Sequence, residues 1–196
     1  INGGKVEKAK KYLKKEYDTY ESQIALFNLL RLRIETSDVY DDEYLHKAKS
    51  IISSDFQHIV AASYDKLGNH RETKLYLLRT LLLDDSERCV GALFPIYQEE
   101  EKEDEPEYVQ NECVCFLESP EEKLNIAIHN DEVLKGLNPN RFANCIHFSA
   151  EDPKISSLMY SQKQDVVRFN SKDYKLIDIK SSSSFFGSYA MQQIVS

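Results

Sequence analysis

The sequence is poor in glycine and cysteine, and each shortage removes a class of function. Only six of the 196 residues are glycine, and none of them has the spacing of a phosphate-binding loop. The four cysteines, Cys89, Cys113, Cys115 and Cys145, are too few for the disulfide framework of a small secreted domain. We therefore expect a reducing intracellular location, the cytoplasm.

Long apolar runs and an excess of basic residues are also missing. No stretch approaches the ~20 apolar residues that a membrane span requires, and no signal peptide is visible. The formal net charge is -8, which argues against a dedicated nucleic-acid surface. The basic cluster near the start is interleaved with apolar residues and is interpreted as the solvated face of an amphipathic helix. Its members are Lys8, Lys10, Lys11, Lys14 and Lys15.

Apolar residues recur at helical spacing through the first half of the chain. The pattern predicts helices at residues 6–17, 20–34, 43–53, 56–67 and 71–83. Gly68 is free to take the positive φ that ends a helix. A further helix is expected at residues 86–99, where Pro95 should kink or shorten it.

The segment DFQHIVAASYDKLGNHRETKLYLLRTLLLDDSE, residues 55–87, resembles a tetratricopeptide repeat. Small Ala61 and Ala62 would let two helices approach closely, Tyr64 would fill the space between them, and Gly68 would form the turn. The resemblance implies a short helical-repeat array over residues 1–98. Such an array serves as a scaffold or as a groove for a peptide or protein partner.

The run EEEKEDEPE, residues 99–107, is the clearest boundary in the chain. Eight of its nine residues are charged, and the exception is Pro106. We interpret it as a solvated acidic linker. A divalent-cation site is the alternative, but it needs oxygens at a fixed geometry, which a charge run does not supply by itself.

Beyond the linker the apolar period changes to two. Strands are predicted at residues 112–117, 124–129, 145–148, 166–169 and 174–179, with the last two joined as a hairpin through residues 170–173. Asp152 and Pro153 are expected to begin a short helix, and one more strand is expected at 185–195. The predicted fold class is α+β. It consists of an antiparallel helical-repeat array (1–98), the linker (99–107) and a small antiparallel β-sheet domain with a short helix (108–196).

The order of these elements over residues 110–180 resembles the C-terminal (FKBP-like) domain of the Gre transcript-cleavage factor family. CVCFLESPEEKLNIAI is similar to the family's first hairpin, and IHFSAEDPKISSLMYSQKQDVVRFNSKDYKLIDIKS is similar to its closing stretch. The family's glycine before an aspartate is Gln164 here. In that family an acidic loop with a proline docks on a coiled coil of RNA polymerase, and Glu151, Asp152 and Pro153 match it. The resemblance implies RNA polymerase as a protein partner bound through these residues.

Catalysis is not implied. The family's catalytic carboxylates lie at the tip of an N-terminal coiled coil, and helical repeats occupy that place in this chain.

A zinc site is a separate hypothesis, raised by the cysteines and histidines of the predicted strands. The candidate ligands are Cys113-x-Cys115, Cys145-x-His147 and His129. Residues two apart on a strand lie about 7 Å apart, so one zinc cannot hold both without a sharp bend. We therefore interpret the cysteines as half-buried sheet residues, and no catalytic, metal or cofactor-binding residue is predicted.

These observations predict a non-catalytic protein-interaction module of a larger intracellular, bacterial protein, since the chain begins INGGK without a methionine. Two alternatives stay open. The chain could be the regulatory scaffold of a nuclease, toxin or defence enzyme whose catalytic domain lies elsewhere. It could also support transcript cleavage with the carboxylates of residues 99–107.

Overall fold

The computed structural model describes residues 3–84, 105–137 and 143–195. The chain divides into two compact units, Ile1–Thr80 and Leu81–Ser196. Helices are followed by a five-stranded sheet with short helices, which confirms the α+β fold class. The helix expected at 86–99 and most of the acidic linker lie outside the described residues, so the domain boundaries stay a prediction.

The helices of the first half begin and end close to their predicted positions. They are α1 Gly3–Tyr20, α2 Gln23–Glu35, α3 Glu43–Lys49, α4 Ser54–Lys66 and α5 His70–Leu83. Ser22, Asp42 and Ser53 cap α2, α3 and α4, and each accepts the backbone N–H three residues further on, as N-cap side chains do. Helix α2 packs against α1, α3 and α4. In the described ranges, no helix has both the length and the apolar character needed to cross a membrane.

Arg33 fixes the connection between α2 and α3. Its side chain is buried, and its Nη1 atom lies 3.1 and 2.9 Å from the two carboxylate oxygens of Asp42. Its Nη2 atom donates to the Tyr40 hydroxyl at 2.8 Å. Because Asp42 also accepts the Leu45 N–H at the start of α3, one carboxylate ties the end of α2 to the beginning of α3.

The α4–α5 pair confirms the two helices predicted from apolar spacing at residues 56–67 and 71–83. Gly68 ends α4 with a φ of +70°, a conformation that favours glycine. Tyr64 is buried, and its ring stacks on that of Tyr76 with centroids 6.0 Å apart. The Lys49 ammonium lies 4.6 Å from the Tyr64 ring centre. The assignment of these helices to that repeat family stays a prediction.

The second unit is built on a sheet whose strand order is β3-β2-β1-β5-β4. The strands are β1 Cys113–Glu118, β2 Lys123–His129, β3 Cys145–Ser149, β4 Val166–Phe169 and β5 Lys172–Ser181, and all five were predicted. The hairpin turn between β4 and β5 consists of Asn170 and Ser171, with φ of 49° and 66°. Positive φ at both central positions is the geometry of a type I′ turn.

One strand pair departs from the predicted antiparallel sheet. β2 and β3 run parallel, with Asn125 opposite Cys145, whereas the other pairs are antiparallel. The connection of residues 130–144, which includes the short helix α6 Asp131–Leu134, is long enough for the crossover that parallel strands require. The prediction of a wholly antiparallel sheet is wrong at this edge, because the alternation of apolar residues does not encode strand direction.

The prediction of a strand at 185–195 is also wrong, because these residues belong to helix α7, Ser182–Val195. The helix begins within a run of four serines, residues 181–184. The Ser181 hydroxyl oxygen accepts the Ser184 N–H at 3.1 Å, which is the hydrogen bond of an N-cap. The Glu105 carboxylate accepts the Ser181 N–H at 3.0 Å and the Ser184 hydroxyl at 2.9 Å. Phe185 then packs edge-on against Phe116 of β1, with ring centroids 5.7 Å apart.

Replacing Ser181 by alanine is expected to destabilise the protein by about 1 kcal/mol, because α7 loses its N-cap acceptor. Ser188→Ala is the matched control, since Ser188 lies exposed within the same helix. It should be neutral or stabilising by a few tenths of a kcal/mol, because alanine is the better helix former. Urea unfolding of both variants measures the difference, and equal effects would contradict the capping role.

Candidate functional site

The loop after β3 carries the three residues predicted to bind a partner. Ser149, the last residue of β3, holds the start of the loop. Its hydroxyl oxygen accepts the Glu151 N–H at 3.1 Å, and its carbonyl oxygen accepts the Asp152 N–H at 3.0 Å. The chain therefore turns sharply after the strand, and the Glu151 side chain points into solvent.

Asp152 and Pro153 form the next turn together. The predicted short helix is present as a single 3₁₀ turn, Pro153–Ile155. Asp152 is its N-cap, and its Oδ1 atom accepts the Lys154 N–H at 2.9 Å. Pro153 is exposed and occupies a first-turn position, where its missing N–H costs nothing. The Asp152 carboxylate is thus occupied within the loop. The Glu151 carboxylate has no hydrogen bond or ion pair with any described residue.

Two apolar side chains fix the far end of the loop. Ile155 and Leu158 have no exposed surface and belong to the core cluster that includes Val109 and Phe169. The loop is therefore held by hydrogen bonds at β3 and by core packing after Pro153. This arrangement keeps Glu151 and Pro153 side by side at the surface.

An exposed pair of aromatic residues, one before the loop in the chain and one directly after it, was not identified from the sequence. Tyr160 is 76% exposed and Tyr108 is 42% exposed, and their ring centroids lie 6.3 Å apart. The Tyr160 N–H donates to the Val109 carbonyl oxygen at 2.8 Å. No local sequence pattern brings Tyr108 and Tyr160 together, because they meet through the pairing of Tyr108 with Gln162.

The cysteines considered for zinc lie deeper than the half-buried position expected of them. Cys113, Cys115 and Cys145 have no exposed surface. The Sγ atoms of Cys113 and Cys115 are 3.9 Å apart, so the separation of about 7 Å expected from the strand rise does not apply to their sulfur atoms. A hydrogen bond with Cys113 and burial raise the pKa of the Cys115 thiol, and burial raises the pKa of Cys145 to about 12. Both thiols are therefore protonated at neutral pH. Across the described ranges, no three potential ligands converge on a metal position.

His129 and His147, the other zinc candidates, contact each other. The parallel pairing of β2 and β3 brings the Nε2 atom of His129 to 2.8 Å from the Nδ1 atom of His147. Their rings are stacked with centroids 5.1 Å apart, and Phe186 of α7 stacks on His129 at 6.1 Å. Burial, with a smaller contribution from His147, lowers the pKa of His129 to about 3. At neutral pH the His129 ring is therefore uncharged where it stacks on Phe186 of α7.

The buried His129 predicts a loss of stability in acid. Its pKa is about 3 in the folded protein against an ordinary 6.5, so the unfolded chain binds one more proton between these values. The contribution of the neutral His129 to the free energy of unfolding is therefore complete above pH 6.5. It is lost as the pH falls toward 3, by about 1.4 kcal/mol for each pH unit. His129→Phe should flatten this part of the curve in urea unfolding measured at successive pH values.

His70→Gln is the control for this experiment, because His70 is exposed at the start of α5. The free energy of unfolding of this variant should change with pH as it does in the unchanged protein. If His129→Phe keeps the same acid slope as His70→Gln, the titration of His129 does not account for the slope.

The comparisons with known proteins give only a weak likeness, to solved structures. No protein-family model matches the sequence, and no curated protein matches it. Among solved structures, the chain is similar to the crystal structure of the GreA factor homolog 1 (Gfh1) protein of Thermus thermophilus. The sequence identity is 16%, the match covers 90% of this chain and 94% of that chain, and the TM-score is 0.32. At that score no residue role passes from one chain to the other.

Proposed function

We propose that the chain is a non-catalytic protein-interaction module whose sheet unit docks on RNA polymerase through Glu151, Asp152 and Pro153. The observation that carries the proposal is the geometry of the loop. An unpaired carboxylate stands beside an exposed proline on a turn fixed by hydrogen bonds at one end and by core packing at the other.

The three residues have different roles in this proposal. Glu151 offers a charge to a lysine or arginine of the partner, because nothing in the described chain neutralises it. Pro153 offers an apolar ring whose φ is already restricted, so less conformational freedom is lost on binding. Asp152 is a positioning residue, since its carboxylate caps the turn that holds the other two.

RNA polymerase is proposed as the partner on the strength of the sequence resemblance to the Gre C-terminal domain. That resemblance includes the acidic residue and proline of the loop. The non-catalytic part is supported by the state of the candidate nucleophiles. The thiols of Cys113, Cys115 and Cys145 are all buried, whereas a nucleophilic cysteine needs an accessible thiolate.

The test is the affinity of this chain for purified bacterial RNA polymerase, measured by biolayer interferometry. Glu151→Lys reverses the exposed charge and should weaken binding at least about tenfold, which is about 1.4 kcal/mol. The triple replacement of Glu151, Asp152 and Pro153 by alanine should abolish binding. Glu107→Lys is the matched control, because Glu107 is exposed and lies outside the loop, and it should bind as the unchanged chain does.

Asp152→Asn separates capping from charge, because asparagine also serves as an N-cap. A positioning role predicts that this variant retains binding. No binding by the unchanged chain, or equal binding by Glu151→Lys and Glu107→Lys, would contradict the proposal.

A further inference from the structure

One face of α1 carries an unpaired row of lysines. Lys5, Lys8, Lys11 and Lys15 are exposed and follow one another at intervals of three or four residues, which places them on one side of the helix. The row extends over about 15 Å at the helical rise of 1.5 Å per residue. The opposite side of α1 carries the buried Tyr17.

Other lysines of the helical unit have anionic partners. Lys10 lies 2.7 Å from Asp38, Lys47 lies 2.7 Å from Glu43, and Lys49 lies 3.4 Å from Glu72. The four lysines of the row make no ion pair with any residue in the described ranges. Like charges three or four residues apart destabilise a helix, so an anionic partner would relieve a repulsion that the chain itself leaves in place.

We propose that this row is a docking face for a carboxylate-rich segment of a partner protein. The row is about as long as four or five residues of extended peptide, at about 3.3 Å per residue. A lysine ammonium is a compact point charge on a flexible stem, so each lysine can meet a separate carboxylate. Tyr12, whose side chain is 66% exposed, lies on the same helix between Lys11 and Lys15 and adds an apolar ring. This inference does not depend on the loop of the sheet unit.

The charge of the whole chain favours a short acidic segment over a nucleic acid. The formal net charge is -8, although the row itself is positive. Electrostatic forces at physiological salt act over about 8 Å. A chain with this acidic excess is unlike the basic domains that hold nucleic acid, whereas four positive charges within about 15 Å suit a short run of carboxylates.

The test uses fluorescence anisotropy of a labelled octaglutamate peptide titrated with the full chain, beside octaglutamine and a single-stranded octanucleotide. Octaglutamate should bind, and its affinity should fall when the salt rises from about 50 to about 300 mM. The double variant Lys8→Glu with Lys15→Glu should bind at least about tenfold more weakly. Octaglutamine should not bind.

The matched control is Lys66→Glu with Lys175→Glu, which makes the same change in net charge at two exposed lysines outside the row. This control should bind octaglutamate within about twofold of the unchanged chain, because it leaves the charge of the row intact. The double variant Lys8→Arg with Lys15→Arg should also retain binding, because arginine keeps the positive charge at both positions. Far-UV circular dichroism verifies that each variant is folded. Equal loss in the control, or no binding of octaglutamate, would overturn the proposal. Tighter binding of the octanucleotide that disappears with Lys8→Glu and Lys15→Glu would also overturn it, and would assign the face to nucleic acid.

Discussion

The buried central strand β1 is the constraint on which the second unit depends. β2 and β5 pair with it on its two edges, and Cys113, Val114 and Cys115 have no exposed surface. Because successive side chains of a strand face opposite sides, a shift of one residue would exchange the two faces and misplace every core residue. Ile155 and Leu158 pack in the same cluster as the two cysteines. The position of the loop that carries Glu151 to Pro153 is therefore set from the centre of the sheet.

The two proposed binding surfaces are built in different ways and suit different kinds of recognition. In the loop, Glu151 and Pro153 stand on a backbone fixed by Ser149 and by the Asp152 cap. Such a surface favours a partner of defined shape, because little ordering is needed on binding. In the α1 row the charges stand on long side chains that no described residue restrains. A surface of that kind accelerates encounter and selects charge more than shape.

The local pattern of the sequence was sufficient for most elements and insufficient for their long-range relations. Helical spacing located α1 to α5, and alternation located all five strands, because both periodicities follow directly from burial of one face. Helix α7 was predicted as a strand at 185–195, since a serine that ends a strand and a serine that caps a helix look alike in sequence. The residues of the loop were identified by resemblance. The Tyr108–Tyr160 pair and the contact of His129 with His147 depend on strand pairings between distant segments, which no local pattern reports.

The place of β5 in the sheet has a consequence for biosynthesis. β5 is the last of the five described strands, yet it lies between β1 and β4, and Glu105 accepts hydrogen bonds from Ser181 at its end and from Ser184. While the chain emerges from the ribosome, β1 and β2 can pair early, but the other edge of β1 stays open until residues 172–181 have been made. An open apolar edge is a template for wrong pairing. The nascent chain is therefore open to wrong pairing at this edge during the interval between the synthesis of β2 and that of β5.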